Sequence, residues 1–168
     1  MSDTYDEVSM VDLDWMEGYE ELIRDYRDLF ETGNPHDAIF RTMIFATGTI
    51  PDREDVSCLL DLSQGDVKKA LKKIPTNPHS CRCVLAMAAM EGYAEVVDAV
   101  LVNSSEPLVM TRHLDLAAHG GHFDVVDRLI ESKEITEFDI ANLATQVESD
   151  MSLHLRQHIS SSWGCVVM

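Results

Sequence analysis

Positive charge is what this chain has least of. It carries 13 Lys and Arg against 30 Asp and Glu, for a net charge of −17 at pH 7. An acidic surface repels a phosphate backbone, so nucleic-acid binding is disfavoured. Long apolar runs are missing too. The 168 residues are 45% apolar, yet no stretch reaches the ~18 consecutive apolar residues that cross a bilayer. The first residues are acidic where a secretory signal is basic, so a cytoplasmic chain is expected. The polar–apolar alternation of strands is poor throughout. There is no Gly-x-x-x-x-Gly-Lys phosphate loop, no Gly-x-Gly-x-x-Gly and no Gly-x-Ser-x-Gly elbow. No catalytic residue and no cofactor is therefore assigned, and a non-enzymatic role is expected. Cysteines number 4. Cys81-Arg82-Cys83 leaves one residue between its thiols, which suits neither a redox pair nor a zinc site. That usage fits a reducing compartment, with one of the two thiols buried on a helix.

What is present is repetition. Ala88–Leu101 reads AAMEGYAEVVDAVL and Ala117–Ile130 reads AAHGGHFDVVDRLI. The two share Ala-Ala, the glycine and Val-Val-Asp in one register, with Gly92 and Gly121 standing 29 residues apart. Each unit is a helix of small residues, a glycine turn and a second helix with a valine–leucine stripe. Paired alanines let helices approach closely, and the glycine permits a left-handed turn. Self-similarity at such a period is the mark of stacked units.

These residues resemble the ankyrin repeat family. Leu114-Asp115-Leu116-Ala117-Ala118-His119-Gly120-Gly121-His122 follows that family's Leu-His-x-Ala-Ala-x-x-Gly-His pattern except at Asp115. Leu85-Ala86-Met87-Ala88-Ala89-Met90-Glu91-Gly92-Tyr93 follows it more loosely. The family's Thr-Pro opening is replaced by Arg112-His113 and Cys83-Val84, and the period is shorter than the usual ~33. The resemblance covers roughly Ser80–Lys133. It implies an all-α solenoid of about five helical hairpins, with His122 stabilising its turn. It also implies that a partner protein meets the first helices and the loops leading into them. By position those residues are Arg82, Ala86, Met90 and Glu91 in one unit, and Arg112, Asp115 and His119 in the next.

Flanking segments extend the pattern. Val56, Leu59, Leu60 and Leu62 precede Gly65-Asp66, and Val67, Ala70, Leu71 and Ile74 follow at helical spacing, so Glu54–Ile74 reads as another hairpin. Thr136 is placed to cap a helix through Ile140, Leu143 and Ala144, and Asp150 to cap a last one with Met151, Leu155 and Ile159 inward. Trp15, Tyr19, Leu22, Ile23, Tyr26, Leu29 and Phe30 form an apolar stripe that Gly33-Asn34-Pro35 ends. Residues 1–14 alternate acids with isolated apolar groups and are expected to be a disordered acidic segment. The domain is thus set at 15–160, with a flexible tail at 161–168.

Two features invite chemistry. His154 and His158 are i, i+4 on a predicted helix, but no acid lies between them and the sequence offers no third ligand, so no metal is assigned. Cys165-Val166-Val167-Met168 resembles a prenylation box, which makes Cys165 a candidate lipidation site. One lipid anchors weakly. The expected function is a non-catalytic adaptor or inhibitor that binds another protein. The alternative is a prenylated membrane-associated scaffold or host-directed effector, peripheral on membranes through Cys165.

Overall fold

The computed structural model describes residues 47–49 and 51–160. The segment 1–14, the apolar stripe of Trp15–Phe30 and the tail with Cys165 lie outside the described residues. Every regular element among the described residues is helical. After a 3-10 turn at Arg53–Asp55 come α1 (Val56–Ser63), α2 (Val67–Leu71), α3 (Pro78–Glu91) and α4 (Ala94–Asn103). These are followed by α5 (Thr111–His119), α6 (Phe123–Glu131), α7 (Glu137–Ala144) and α8 (Ser149–Ser160). The chain is all-α in this region, as the repeat resemblance and the helical periodicity predict. No helix among the described residues is long and apolar enough to cross a membrane.

Local chemistry explains where the helices begin. Asp66 accepts the Lys69 N–H at 3.2 Å, Asn77 accepts the His79 N–H at 2.8 Å, and Thr136 accepts the Asp139 N–H at 3.2 Å. Each is a side-chain cap for a donor that the helix itself leaves unpaired. Pro78 occupies the first turn of α3, where its missing N–H costs nothing. Asp150, expected as a cap, instead lies within the first turn of α8, which begins at Ser149. Its charge still suits the positive end of the helix.

One turn closes three hairpins. Gly65, Gly92 and Gly121 all have positive φ, at 79°, 80° and 72°. The next residue donates its N–H five positions back each time: Asp66 to Asp61 at 2.8 Å, Tyr93 to Ala88 at 2.9 Å and His122 to Ala117 at 3.0 Å. This is the six-to-one bond of a Schellman ending. The α7–α8 hairpin has no glycine and turns through Thr145 in right-handed geometry.

The first three hairpins contact one another in order. α1 touches α3 and α3 touches α5, while α2 touches α4 and α4 touches α6. Val96, Val97, Val100, Val125, Val126 and Leu129 are buried between second helices and their neighbours. Ala88, Ala89, Ala117 and Ala118 are buried where the helices meet. α3 carries the densest burial, because α1, α4 and α5 all pack on it. Both Cys81 and Cys83 are consequently buried, where only one had been expected.

The glycine turns differ in what surrounds them. A Cβ on Gly92 would stand 2.4 Å from Nδ1 of His122, whereas one on Gly121 would meet nothing within 4 Å. Either substitution pays the left-handed backbone cost of about 1–2 kcal/mol. Gly92→Ala must also displace the His122 ring. Thermal unfolding should therefore show a larger loss of stability for Gly92→Ala than for Gly121→Ala; equal losses would mean that the ring is not seated against the turn.

Candidate functional site

The candidate surface begins on α5. Arg112 and His119 are exposed and Asp115 is half-buried, and helical spacing puts all three on one side. Arg112 Nη1 lies 3.7 Å from Asp115 Oδ2. An exposed pair of this kind contributes at most about 1 kcal/mol, so both groups remain available to a partner. His119 donates from Nδ1 to the Asp115 carbonyl at 2.8 Å.

The α3 side is less open. Glu91 is exposed, while Arg82 and Met90 are half-buried. Arg82 Nη2 donates to the Pro107 carbonyl at 3.3 Å. Ala86 has no exposed surface at all. Its assignment to the partner surface is corrected: with helices packed on several sides, α3 has no broad polar face, and Ala86 lies in the core. The structure thus brings Arg112, Asp115 and His119 together on α5, leaves Arg82, Met90 and Glu91 at the margins of α3, and removes Ala86.

Two histidines hold α5 and its turn against α3. His113 is fully buried. Its Nδ1 accepts the Met110 N–H at 2.9 Å, as a glutamate does in a capping box. Its Nε2 then donates to the Arg82 carbonyl of α3 at 3.0 Å. Both bonds require the neutral ring with its proton on Nε2. His122 Nε2 donates to the Met90 carbonyl at 2.9 Å, satisfying a carbonyl at the end of α3 that no helical N–H can reach. The family resemblance anticipates a turn role for His122. Nothing in the sequence marked His113, which reads only as a departure from Thr-Pro.

Beside His119 the surface dips into a groove of about 350 Å³ between α6 and α8 and the turns before them, lined by Gly120, Gly121, Phe123, Val147 and Met151. Phe123 is 40% exposed there. Further along α8, His154 Nε2 and His158 Nε2 stand 2.6 and 2.8 Å from the same Oδ1 of Asp127 on α6. The sequence shows the histidine pair, but the third group lies on another helix, 27 and 31 residues away.

Among the described residues the thiols offer no nucleophile. Burial, with help from the nearby Asp61 and Asp55 charges, pushes the Cys58 thiol up to about 12. Burial likewise raises Cys81 and Cys83. All three stay protonated at neutral pH, and a thiol is a poor nucleophile. No protein-family model matches the chain, and neither a curated protein nor a solved structure matches it.

His113 makes stability depend on pH. Desolvation lowers its pKa to about 4 from 6.5, opposed by its bond to the Arg82 carbonyl. The unfolded chain therefore takes up this proton first as the medium is acidified. The contribution is intact above pH 6.5 and is lost as pH falls towards 4, by an amount on the order of 3 kcal/mol. In chemical unfolding across that range, His113→Gln should show a shallower loss of stability than the parent. Parallel curves would mean that His113 is not buried in its neutral form.

Proposed function

We propose that this chain is a non-catalytic protein-binding module, an ankyrin-like stack of helical hairpins that grips a partner through the exposed side of α5 and the adjoining margin of α3. The observation that carries this reading is the threefold Gly65, Gly92 and Gly121 turn. Three hairpins use one backbone device and touch their neighbours in the same order. Stacks of this kind present extended surfaces and assign recognition to residues that the stacking does not use. Arg112, Asp115 and His119 are such residues: they differ from Cys83, Ala86 and Met90 at the matching positions of the preceding unit. The groove at Phe123 and Met151 gives an apolar side chain of the partner somewhere to insert beside this polar set.

The reading makes a separable demand on stability and binding. Replacing Arg112, Asp115 and His119 together by alanine should change stability little, by about 0.5 kcal/mol or less at each of the exposed Arg112 and His119 and by no more than about 1 kcal/mol at the half-buried Asp115. The same triple variant should weaken a partner captured from cytoplasmic extract by about tenfold or more, measured with both proteins purified. Undiminished affinity in the folded variant would place the contact elsewhere.

A further inference from the structure

We propose that Asp127, His154 and His158 form a binding site for one divalent transition-metal ion of the zinc class, joining α6 to α8. Each residue offers a ligand atom, and the three atoms lie within 4.8 Å of one another. His154 and His158 are one helical turn apart, so their imidazoles share a face of α8. Asp127 faces them from α6, and both Nε2 atoms converge on its Oδ1. Two imidazoles and one carboxylate are a ligand set for zinc, copper, nickel or iron; magnesium and calcium prefer an all-oxygen shell.

The geometry is close to what an ion requires. Zinc binds imidazole nitrogen at about 2.0–2.1 Å and carboxylate oxygen at about 2.0–2.2 Å, so neighbouring ligands in a tetrahedron stand roughly 3.3 Å apart. The observed N···O separations are 2.6 and 2.8 Å. Each pair must open by about half an ångström for tetrahedral bonding, a movement within reach of side-chain rotation. In the ion-free arrangement the carboxylate oxygen accepts from both rings. With the ion bound, both Nε2 atoms give up their protons, and each neutral ring carries its proton on Nδ1.

Packing fixes the rings beforehand. The His154 ring meets Phe123 edge-on, with centroids 5.0 Å apart at 87°, and meets His158 at 5.3 Å and 74°. Rings held by their neighbours lose little freedom on binding. The three side chains are 24%, 28% and 36% exposed, so an ion can enter without unfolding. Asp98, Asp124, Arg128 and Glu131 line a groove with Asp127; Arg128 is paired with Asp98, and the remaining carboxylates keep the setting acidic, which concentrates cations. The residues between the histidines, Leu155-Arg156-Gln157, include no acid, so the general base of a zinc peptidase motif is absent from this helix. The role that fits is structural: the ion would fasten the last hairpin, whose turn lacks the glycine device, to the one before it.

Titration of the metal-free full-length chain with Zn²⁺ tests this. The expected result is one ion per chain at micromolar or tighter affinity, with Asp127→Asn and His158→Ala each weakening it at least about tenfold. Saturating zinc should raise the melting temperature of the parent and leave that of the His154→Ala, His158→Ala double variant unmoved. Far-ultraviolet circular dichroism checks that the variants keep their helices. If one does not, the parent's Co²⁺ adduct decides: visible bands of a nitrogen–oxygen site without thiolate-to-cobalt charge transfer support the proposal. Thiolate charge transfer, unchanged affinity in the folded variants, or no binding by the parent would overturn it.

Discussion

The described fold depends on how the carbonyls of one helix are satisfied. α3 is crowded by α1, α4 and α5, and residues Cys83 to Ala89 in its middle are completely buried. A helix so enclosed cannot leave its last carbonyls to water. The glycine turn covers Ala88, whose carbonyl receives the N–H groups of Gly92 and Tyr93, each at 2.9 Å. His122 covers Met90, and His113 adds a bond to Arg82 eight residues earlier on the same helix. Two side chains of the third hairpin thereby grip α3 near both ends. Valine and leucine packing supplies most of the burial, but it is non-directional. The directional bonds from the two imidazoles fix where α5 and its turn sit along α3, and so where Arg112, Asp115 and His119 emerge.

Gly92 shows how sequence and packing meet in this arrangement. Its φ of 80° favours glycine on backbone grounds. Its missing Cβ is also the space that the His122 ring occupies. Gly120 is the other wall of that slot: its φ is −76°, ordinary for any residue, yet a Cβ there would meet the same ring at 2.6 Å. Gly121, with the positive φ, faces open space. The Gly-Gly pair thus divides two tasks, one residue making room and the other turning the chain.

Much of this was legible in the sequence, and what was not has physical reasons. The stripes of α4 and α6, the paired alanines and the cap at Thr136 are local signals, read within one or two helical turns. Ala86 was misplaced because its position was carried over from the family's partner-facing surface, and a helix packed on several sides keeps few such positions open. The same crowding buries Cys81 with Cys83, although helical spacing puts them about 200° apart. His113 was invisible because its partners, Met110 and Arg82, are backbone groups, and no residue type announces a carbonyl. Asp127 was missed because a contact between α6 and α8 leaves no periodic trace.

The polar features of the molecule separate along the same lines as its helices. Arg112, Asp115 and His119 belong to a first helix, α5, whose buried side grips α3. Asp127, His154 and His158 belong to α6 and α8, and their bonds run onward to the last hairpin. His122 lies between the two sets, spanning the α5–α6 turn and tied backwards to Met90. A change at the α5 surface reaches the Asp127 cluster through α6 and through the groove that His119 lines with Phe123 and Met151. α6 is held by Val125, Val126 and Leu129 in the core and by the Arg128–Asp98 ion pair at 2.8 Å to α4. A well-packed helix yields little to the loss of exposed side chains on its neighbour. What couples the exposed side of α5 to the α6–α8 junction is therefore the groove itself, where Phe123 stands edge-on to the His154 ring.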